Sequence, residues 1–340
     1  MPNMREIAKL AGVSVWTVSM ALRDHPGVSE ATRNRIRAIA EEYHYLPNRL
    51  SHGTISGSSG LLGYITHRDI RPAYTDILQG ALYQAYLDGF HMLVLQTSKE
   101  EVVHISHAVR DLLELRVEGI IIVSTLCDPL PNDLLLTIRS AGAIPVGVME
   151  AIFTAKVDRV TVDRDAVIAL QIDHLRRLGH RNFACITFDS ASGHQRTEKL
   201  RWQLEHYGLK LCAAHFVTSS PMAEMAFEAI MAASPEPTAL IIASDLWAWP
   251  ILRRIALCGI RVPEKLSIIS EGNLYRGTLF PELTTVDLHS YEIGRETVSL
   301  IRRRLNEGLP PADITPETIT VTPELAVRGT TARCNVKAPV

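Results

Sequence analysis

The chain has 340 residues, 46% of them hydrophobic and 21% charged, more than one domain needs and suited to a small domain ahead of a larger body. No run approaches the roughly 18 consecutive apolar residues of a membrane-spanning helix. The first residues, Met1 to Glu6, show no apolar stretch before a small-residue cleavage site, so a cytoplasmic chain is expected.

The net charge of −2 conceals a split. Residues 1–57 hold seven Lys or Arg against five Asp or Glu, so a basic end precedes an acidic remainder, as in a nucleic-acid reader joined to a body that is not one. Five widely spaced cysteines, Cys127, Cys185, Cys212, Cys258 and Cys334, fit neither a disulfide framework nor a zinc site. They are expected to be buried apolar fillers, and no metal or cofactor is expected.

From Asn3 the pattern predicts a capped helix, with Glu6 reaching back to the cap and Met4, Ile7, Ala8 and Ala11 on one face. Gly12 stops it, and Ser14 caps a second helix running from Val15 to about Leu22, with Val18, Ala21 and Leu22 inward. A third helix starts near Ser29, presents Ile36, Ile39, Ala40 and Tyr43 at helical spacing, and ends before Pro47. Residues 48–60 have the Gly- and Ser-rich composition of a linker.

Beyond the linker, apolar runs of strand length alternate with helix-length amphipathic stretches: Leu61 to Thr66, Met92 to Gln96, Gly119 to Ser124, Pro145 to Met149, Phe183 to Phe188, Ala239 to Ala243 and Leu266 to Ser270. This is the βαβ pattern of a doubly wound parallel sheet. The body is large for one such sheet, and Val157 to Arg164 marks a break between two.

Two helices joined by Ala11-Gly12-Val13-Ser14 make a helix-turn-helix, although any pair of short antiparallel helices looks similar. At 100° per residue, Trp16 and Met20 fall opposite Val18, Ala21 and Leu22. Such an outward apolar pair either meets base edges, thymine methyls included, or folds back on its own domain.

The segment Ile7-Ala8-Lys9-Leu10-Ala11-Gly12-Val13-Ser14-Val15-Trp16-Thr17-Val18-Ser19 is followed by Val28-Ser29-Glu30-Ala31-Thr32-Arg33 and Tyr45-Leu46-Pro47-Asn48. Further along come Val117-Glu118-Gly119-Ile120-Ile121, His174 to Arg181, Gly259 to Glu264, Leu283-Thr284-Thr285-Val286 and Pro323 to Arg328. In this order the segments resemble the lactose-repressor (LacI) family of bacterial transcription regulators nearly end to end.

The resemblance implies a three-helix helix-turn-helix domain at residues 1–47, a hinge at 48–60, an effector-binding and dimerisation body at 61–330, and a tail at 331–340. The body would be α/β and similar to the periplasmic sugar-binding proteins, with parallel doubly wound sheets in two subdomains, 61–161 with 288–318 and 162–287 with 319–330. It further implies a homodimer on a pseudo-palindromic operator, most commonly acting as a repressor. Val15, Trp16 and Met20 would face bases, while Ser14, Thr17, Ser19, Ser29, Thr32, Tyr45 and Asn48 match positions that contact phosphates. Glu150, Arg196 and Asp245 match positions lining the effector cleft, where a sugar or sugar derivative is implied.

Several positions depart from the family pattern. Met20 stands where Arg is common, which removes a bidentate contact to guanine. Thr54, after Gly53, occupies the place of the leucine that wedges open the minor groove, with Ile55 or Leu50 as substitutes. Ser270-Glu271-Gly272-Asn273 lacks a cleft carboxylate at Gly272, and Leu288 replaces a polar residue. Trp247 and Trp249 read as packing or a dimer face, with stacking on a sugar as the alternative.

An enzyme would need chemistry the motifs do not supply, since HExxH, GxSxG, Walker A and GxGxxG are all missing from the sequence. His180 reads as a cap or turn residue. A solute-binding protein would suit the body, but not a helix-turn-helix in front of it. The tail after Arg328 carries no apolar heptad, so dimers rather than tetramers are expected.

Overall fold

A computed structural model describes residues 3–22, 24–45, 58–67, 72–97, 102–123, 130–149, 156–275, 277 and 281–335. The chain divides into two compact units, residues 1–59 and 60–340. No helix among the described residues is long and apolar enough to cross a membrane.

The first unit holds α1 (Met4–Ala11), α2 (Val15–Leu22) and α3 (Glu30–Glu42). Asn3 and Glu6 close the capping box: the Asn3 amide oxygen accepts the N–H of Glu6 at 3.1 Å, and the Glu6 carboxylate accepts the N–H of Asn3 at 2.9 Å. Gly12 ends α1 at φ +64°, a left-handed turn that favours glycine. Ile7, Ala11, Val18, Ala21, Val28 and Ile36 fill the small core.

One expectation changes here. Met20, placed outward by its helical angle, is half-buried and packs against this core, as does Tyr45. A helical wheel fixes only where Cβ points, and methionine's three further bonds let the thioether fold back over a domain this small.

The second unit carries two six-stranded sheets. The first is built from β1 (Leu61–His67), β2 (His91–Thr97), β3 (Gly119–Val123), β4 (Ile144–Val148), β5 (Asp158–Val162) and β11 (Thr318–Val321), in the order β11-β5-β4-β3-β1-β2. All its pairings are parallel. The second contains β6 (Asn182–Phe188), β7 (Lys210–Val217), β8 (Ala239–Ile242), β9 (Ser267–Glu271), β10 (Thr284–Asp287) and β12 (Glu324–Ala326), in the order β12-β10-β9-β8-β6-β7. Only the edge pairing of β10 with β12 is antiparallel.

Helices cover both faces of each sheet. Around the first lie α4 (Pro72–Leu87), α5 (Val102–Glu114), α6 (Asn132–Ser140) and α11 (Ser290–Glu307); around the second lie α7 (Arg164–Arg177), α8 (Ala191–His206), α9 (Ser220–Met231) and α10 (Asp245–Leu257). The sandwiched strands are apolar on both sides, and every residue of β3 and β4 is buried. The chain passes between the lobes after β5, after β10 and between β11 and β12. The stretch expected as a break, Val157 to Arg164, thus holds β5 and the first of these passages.

The cysteine expectation fails for most of the set. Cys185 is buried, and burial pushes its thiol up to about 11. Cys212 and Cys334 are half-buried and Cys258 is exposed, because they stand on an edge strand, in the C-terminal segment and at a helix end respectively. Cys127 lies outside the described residues.

Candidate functional site

In the first unit, the hydroxyls marked for phosphate contact come in capping pairs. Ser14 Oγ accepts the N–H of Thr17 at 3.0 Å and lies 2.8 Å from its hydroxyl. Ser29 Oγ accepts the N–H of Thr32 at 3.4 Å and donates to its Oγ1 at 2.8 Å. Each pair orders a helix N-terminus, where backbone N–H groups and the helix dipole favour an anion.

On α2, Trp16 is 67% exposed and Val15 41%, while Ser19 and Met20 are half-buried. The apolar side chains that the helix presents are therefore Trp16 and Val15 rather than Trp16 and Met20. Burial raises the pKa of the Tyr45 phenol, in keeping with its packing on the core. Asn48, Leu50, Gly53, Thr54 and Ile55 lie outside the described residues.

In the second unit a cavity of about 200 Å³ opens at the C-terminal ends of the parallel strands. Ala73 and Tyr74 of α4, Met149 after β4 and Leu288 after β10 line one side. The other side is formed by Arg164 and Ile168 of α7, Thr187 and Phe188 at the end of β6, and Ser192, Gly193, Gln195, Arg196 and Lys199 of α8. Ala243, Ser244, Glu271, Gly272 and Leu274 complete it.

Arg196 lies on this wall. Its Nη1 donates to Glu271 Oε2 at 2.8 Å and its Nη2 to Gln171 Oε1 at 2.9 Å. Gln171 in turn donates to the Ser270 carbonyl at 3.0 Å, so the guanidinium is held by a chain of buried polar groups. Arg164 Nη1 reaches the other Glu271 oxygen at 3.0 Å. Lys199 pairs with Asp165 at 2.7 Å.

Asp245 is placed differently from the expectation. It is 1% exposed and absent from the cavity wall, and its carboxylate accepts hydrogen bonds from Ser270 Oγ, from Thr285 Oγ1 at 2.8 Å and from the Leu274 N–H at 2.8 Å. Burial raises its pKa, against the opposing pull of these donors. Asp245 thus pins the segment after β9 from beneath. Glu150 lies outside the described residues.

Arg164, Lys199, Thr187 and Glu271 were not among the expected cleft residues. Glu271 carried a signal, a carboxylate closing an apolar strand, but the family pattern drew attention to its neighbour Gly272. Trp247 is 3% exposed and packs on Phe188 with ring centroids 4.2 Å apart. Trp249 is 52% exposed, with the Arg253 guanidinium 5.9 Å from its ring centroid. His180 bridges Thr238 Oγ1 and the Ala332 carbonyl, at 2.9 and 3.0 Å.

Comparison with known proteins bears on both units. Residues 3–48 match the model of bacterial regulatory proteins, lacI family, and residues 172–331 match that of the periplasmic binding protein-like domain. The HTH-type transcriptional repressor PurR of Aliivibrio salmonicida is 25% identical over 316 residues, covering 90% of this chain and 93% of that one. The PurR repressor of Vibrio vulnificus is 22% identical over 98% of this chain and its own full length. The crystal structure of the Lac repressor dimer bound to operator and the anti-inducer ONPF superposes with a TM-score of 0.83 at 22% identity, covering 97% of this chain and 99% of that one. The complex of the transcriptional regulator CelR with cellobiose gives a TM-score of 0.68 at 22% identity, with 97% and 100% covered.

Proposed function

Because this chain belongs to the lacI family of bacterial regulatory proteins, we propose that it is a transcriptional repressor whose grip on a pseudo-palindromic operator is set by a small molecule in the cleft of its body. Residues 1–47 form the reader, 48–60 the linker and 61–330 the effector-binding and dimerising body. The chain acts in the cytoplasm as a homodimer, which supplies one reader to each half of the operator.

The observation that carries this reading is the exposed Trp16 on α2, directly after a helix N-terminus ordered by Ser14 and Thr17. A large indole held in solvent on an eight-residue helix fits insertion into a major groove, with Val15 beside it. Ser14, Thr17, Ser19, Ser29, Thr32, Tyr45 and Asn48 would fix register on the phosphates, and Met20 would support the indole from the core side.

The effector is a sugar or sugar derivative, in line with the cellobiose named for CelR. Arg196 is its principal polar partner among the three residues expected at the cleft.

A gel shift tests the regulator reading. The chain should bind a short palindromic operator more tightly than a scrambled duplex, with an affinity that falls steeply as salt rises. Equal affinity for both duplexes would refute it.

A further inference from the structure

If the cleft holds the effector, as proposed above, its wall bears on the effector's charge. Arg164 and Arg196 reach opposite oxygens of one carboxylate, Glu271, at 3.0 and 2.8 Å. The Arg196 and Glu271 side chains are only 14% and 8% exposed. A carboxylate shared between two guanidiniums gives Arg196 only part of a counter-charge in a site largely removed from water, and a buried charge without a full counter-charge is unfavourable.

Other groups near Arg196 do not make up the difference. Gln171, on its far side, is neutral. Lys199 adds a further cation to the wall, and its partner Asp165 stands in solvent, 60% exposed. Asp245 is engaged from below by Ser270, Thr285 and the Leu274 N–H and does not reach the cavity wall.

A second observation is independent of charge. Thr187 lies on the same wall, 1% exposed, and its Oγ1 has no hydrogen-bond partner among the described residues. An orphaned buried hydroxyl is costly unless something bound pairs with it. It sits beside the first turn of α8, where a Cβ built on Gly193 would come 3.3 Å from Oγ1, and where the helix dipole favours negative charge.

A neutral polyol needs acceptors for its hydroxyl protons. Each Glu271 oxygen already accepts from a guanidinium, Gly272 offers no side chain and Leu288 is apolar, so besides Thr187 the neutral side-chain acceptors on the wall come down to Gln195 and the hydroxyls of Ser192 and Ser244. The opposite side, from Tyr74 through Met149 to Leu288, suits the less polar part of a ligand.

We propose that the cleft ligand is a small organic anion, a sugar acid or a phosphate ester, whose anionic group is held by Arg196 and Thr187 with Arg164 alongside, while its body lies against Phe188, Met149 and Leu288. The anion completes the counter-charge of Arg196, and it competes with Glu271 for the guanidinium.

Matched probe sets test this on the full chain by isothermal titration: glycerol, glycerate and glycerol 3-phosphate; ribose, ribonate and ribose 5-phosphate; glucose, gluconate and glucose 6-phosphate. Within at least one set an anionic member should bind about tenfold or more tightly than its neutral parent, and the carboxylate and phosphate arms identify which anion fits. Thr187→Val should weaken that binding about tenfold, as expected for removing one hydrogen bond to a charged group. Glu271→Gln should strengthen it, whereas a ligand that donates hydroxyls to Glu271 would bind this variant more weakly; circular dichroism verifies that both variants fold. Neutral members binding as tightly as anionic ones, or no anionic member binding, would overturn the proposal. A neutral sugar that binds and shifts operator affinity overturns the anion alone, while failure to prefer operator over scrambled duplex overturns the regulator reading itself.

Discussion

Arg304 grips Asp158 with two parallel hydrogen bonds, Nε to Oδ2 and Nη2 to Oδ1, each 2.9 Å. The side chains are 10% and 4% exposed, and Asp158 holds the guanidinium still more firmly protonated. Asp158 Oδ1 also accepts the Glu317 N–H at 2.8 Å, so one carboxylate ties α11, β5 and the entry to β11 together. Asp158→Asn should therefore destabilise the body by about 1.5–3 kcal/mol, because it removes the most deeply buried of the three carboxylates on Arg304 and leaves Glu307 and Glu317, at 3.1 and 2.9 Å, to balance the guanidinium. Urea unfolding measures the loss. Asp158→Leu combined with Arg304→Met should recover a large part of it, and a double variant no better than the single one would show that the pair is not the cause.

Trp16→Ala should weaken specific binding far more than non-specific binding, by about 1–3 kcal/mol for each base pair the indole reads. The indole is exposed and absent from the three-helix core, so the unit should melt almost unchanged. Fluorescence anisotropy on operator and scrambled duplexes measures both affinities. Equal weakening on the two would place Trp16 outside base recognition.

Arg196→Ala should abolish the response to effector, because the guanidinium is fixed on the cavity wall by Glu271 and Gln171 and is preorganised for a ligand. Removing one partner of a buried charge pair costs about 2–5 kcal/mol of binding. Arg196→Lys should restore little, since an ammonium cannot reproduce the planar fork that spans two acceptors. Titration of the effector against an operator complex reads this directly, and an unchanged midpoint would mean that Arg196 does not touch the ligand.

Acid should loosen the second lobe. His180 and His174 are both held below the ordinary histidine pKa, chiefly by burial, and both clasp the C-terminal segment, His180 at the Ala332 carbonyl and His174 at Thr331 Oγ1, 2.9 Å away. The unfolded chain takes up these protons near pH 6.5, before the folded one does. Stability is therefore complete above that value and falls as pH drops through 6.5 toward the lowered folded pKa. The urea midpoint should decline between about pH 7 and 5, and His180→Gln should flatten the decline. A midpoint that holds or rises on acidification would contradict the burial argument.

The reach of the sequence follows from how locally each feature is determined. α1 and α2 were legible to the residue because Asn3, Glu6, Gly12 and Ser14 set their ends through contacts within four positions. β3 and β4 were legible because both their faces are buried. β7, a half-buried edge strand, and β11, with alternating exposed residues, have no comparable apolar run. At the cleft, Arg196 was found by its position in a family pattern. The direction Asp245 faces depends on Ser270 and Thr285, 25 and 40 positions away, and could not be read locally. The pairing of Arg164 with Glu271 spans 107 positions and was equally hidden.

The crossing of α4 over α11 gives a final prediction, because here two simple rules disagree. A Cβ on Gly80 would lie 1.9 Å from the Tyr291 carbonyl oxygen, and one on Gly294 would lie 1.9 Å from the Ile77 carbonyl oxygen. Helix propensity alone favours Gly294→Ala by about 1 kcal/mol. The obstacle is backbone rather than a flexible side-chain end, so the helices would have to separate and open the packing of Ile77, Ala81, Ile293 and Val298. Overpacking of this kind costs about 1–3 kcal/mol even where side chains can adjust, and more where they cannot. Packing should win, and Gly294→Ala should lower the unfolding free energy by at least about 2 kcal/mol. Gly308→Ala provides the contrast: Gly308 ends α11 at φ +64° in open space, so its variant meets only left-handed strain of about 1–2 kcal/mol and no clash. If Gly294→Ala proves the more stable of the two in urea, the close backbone approach of α4 and α11 is not what holds the first lobe together.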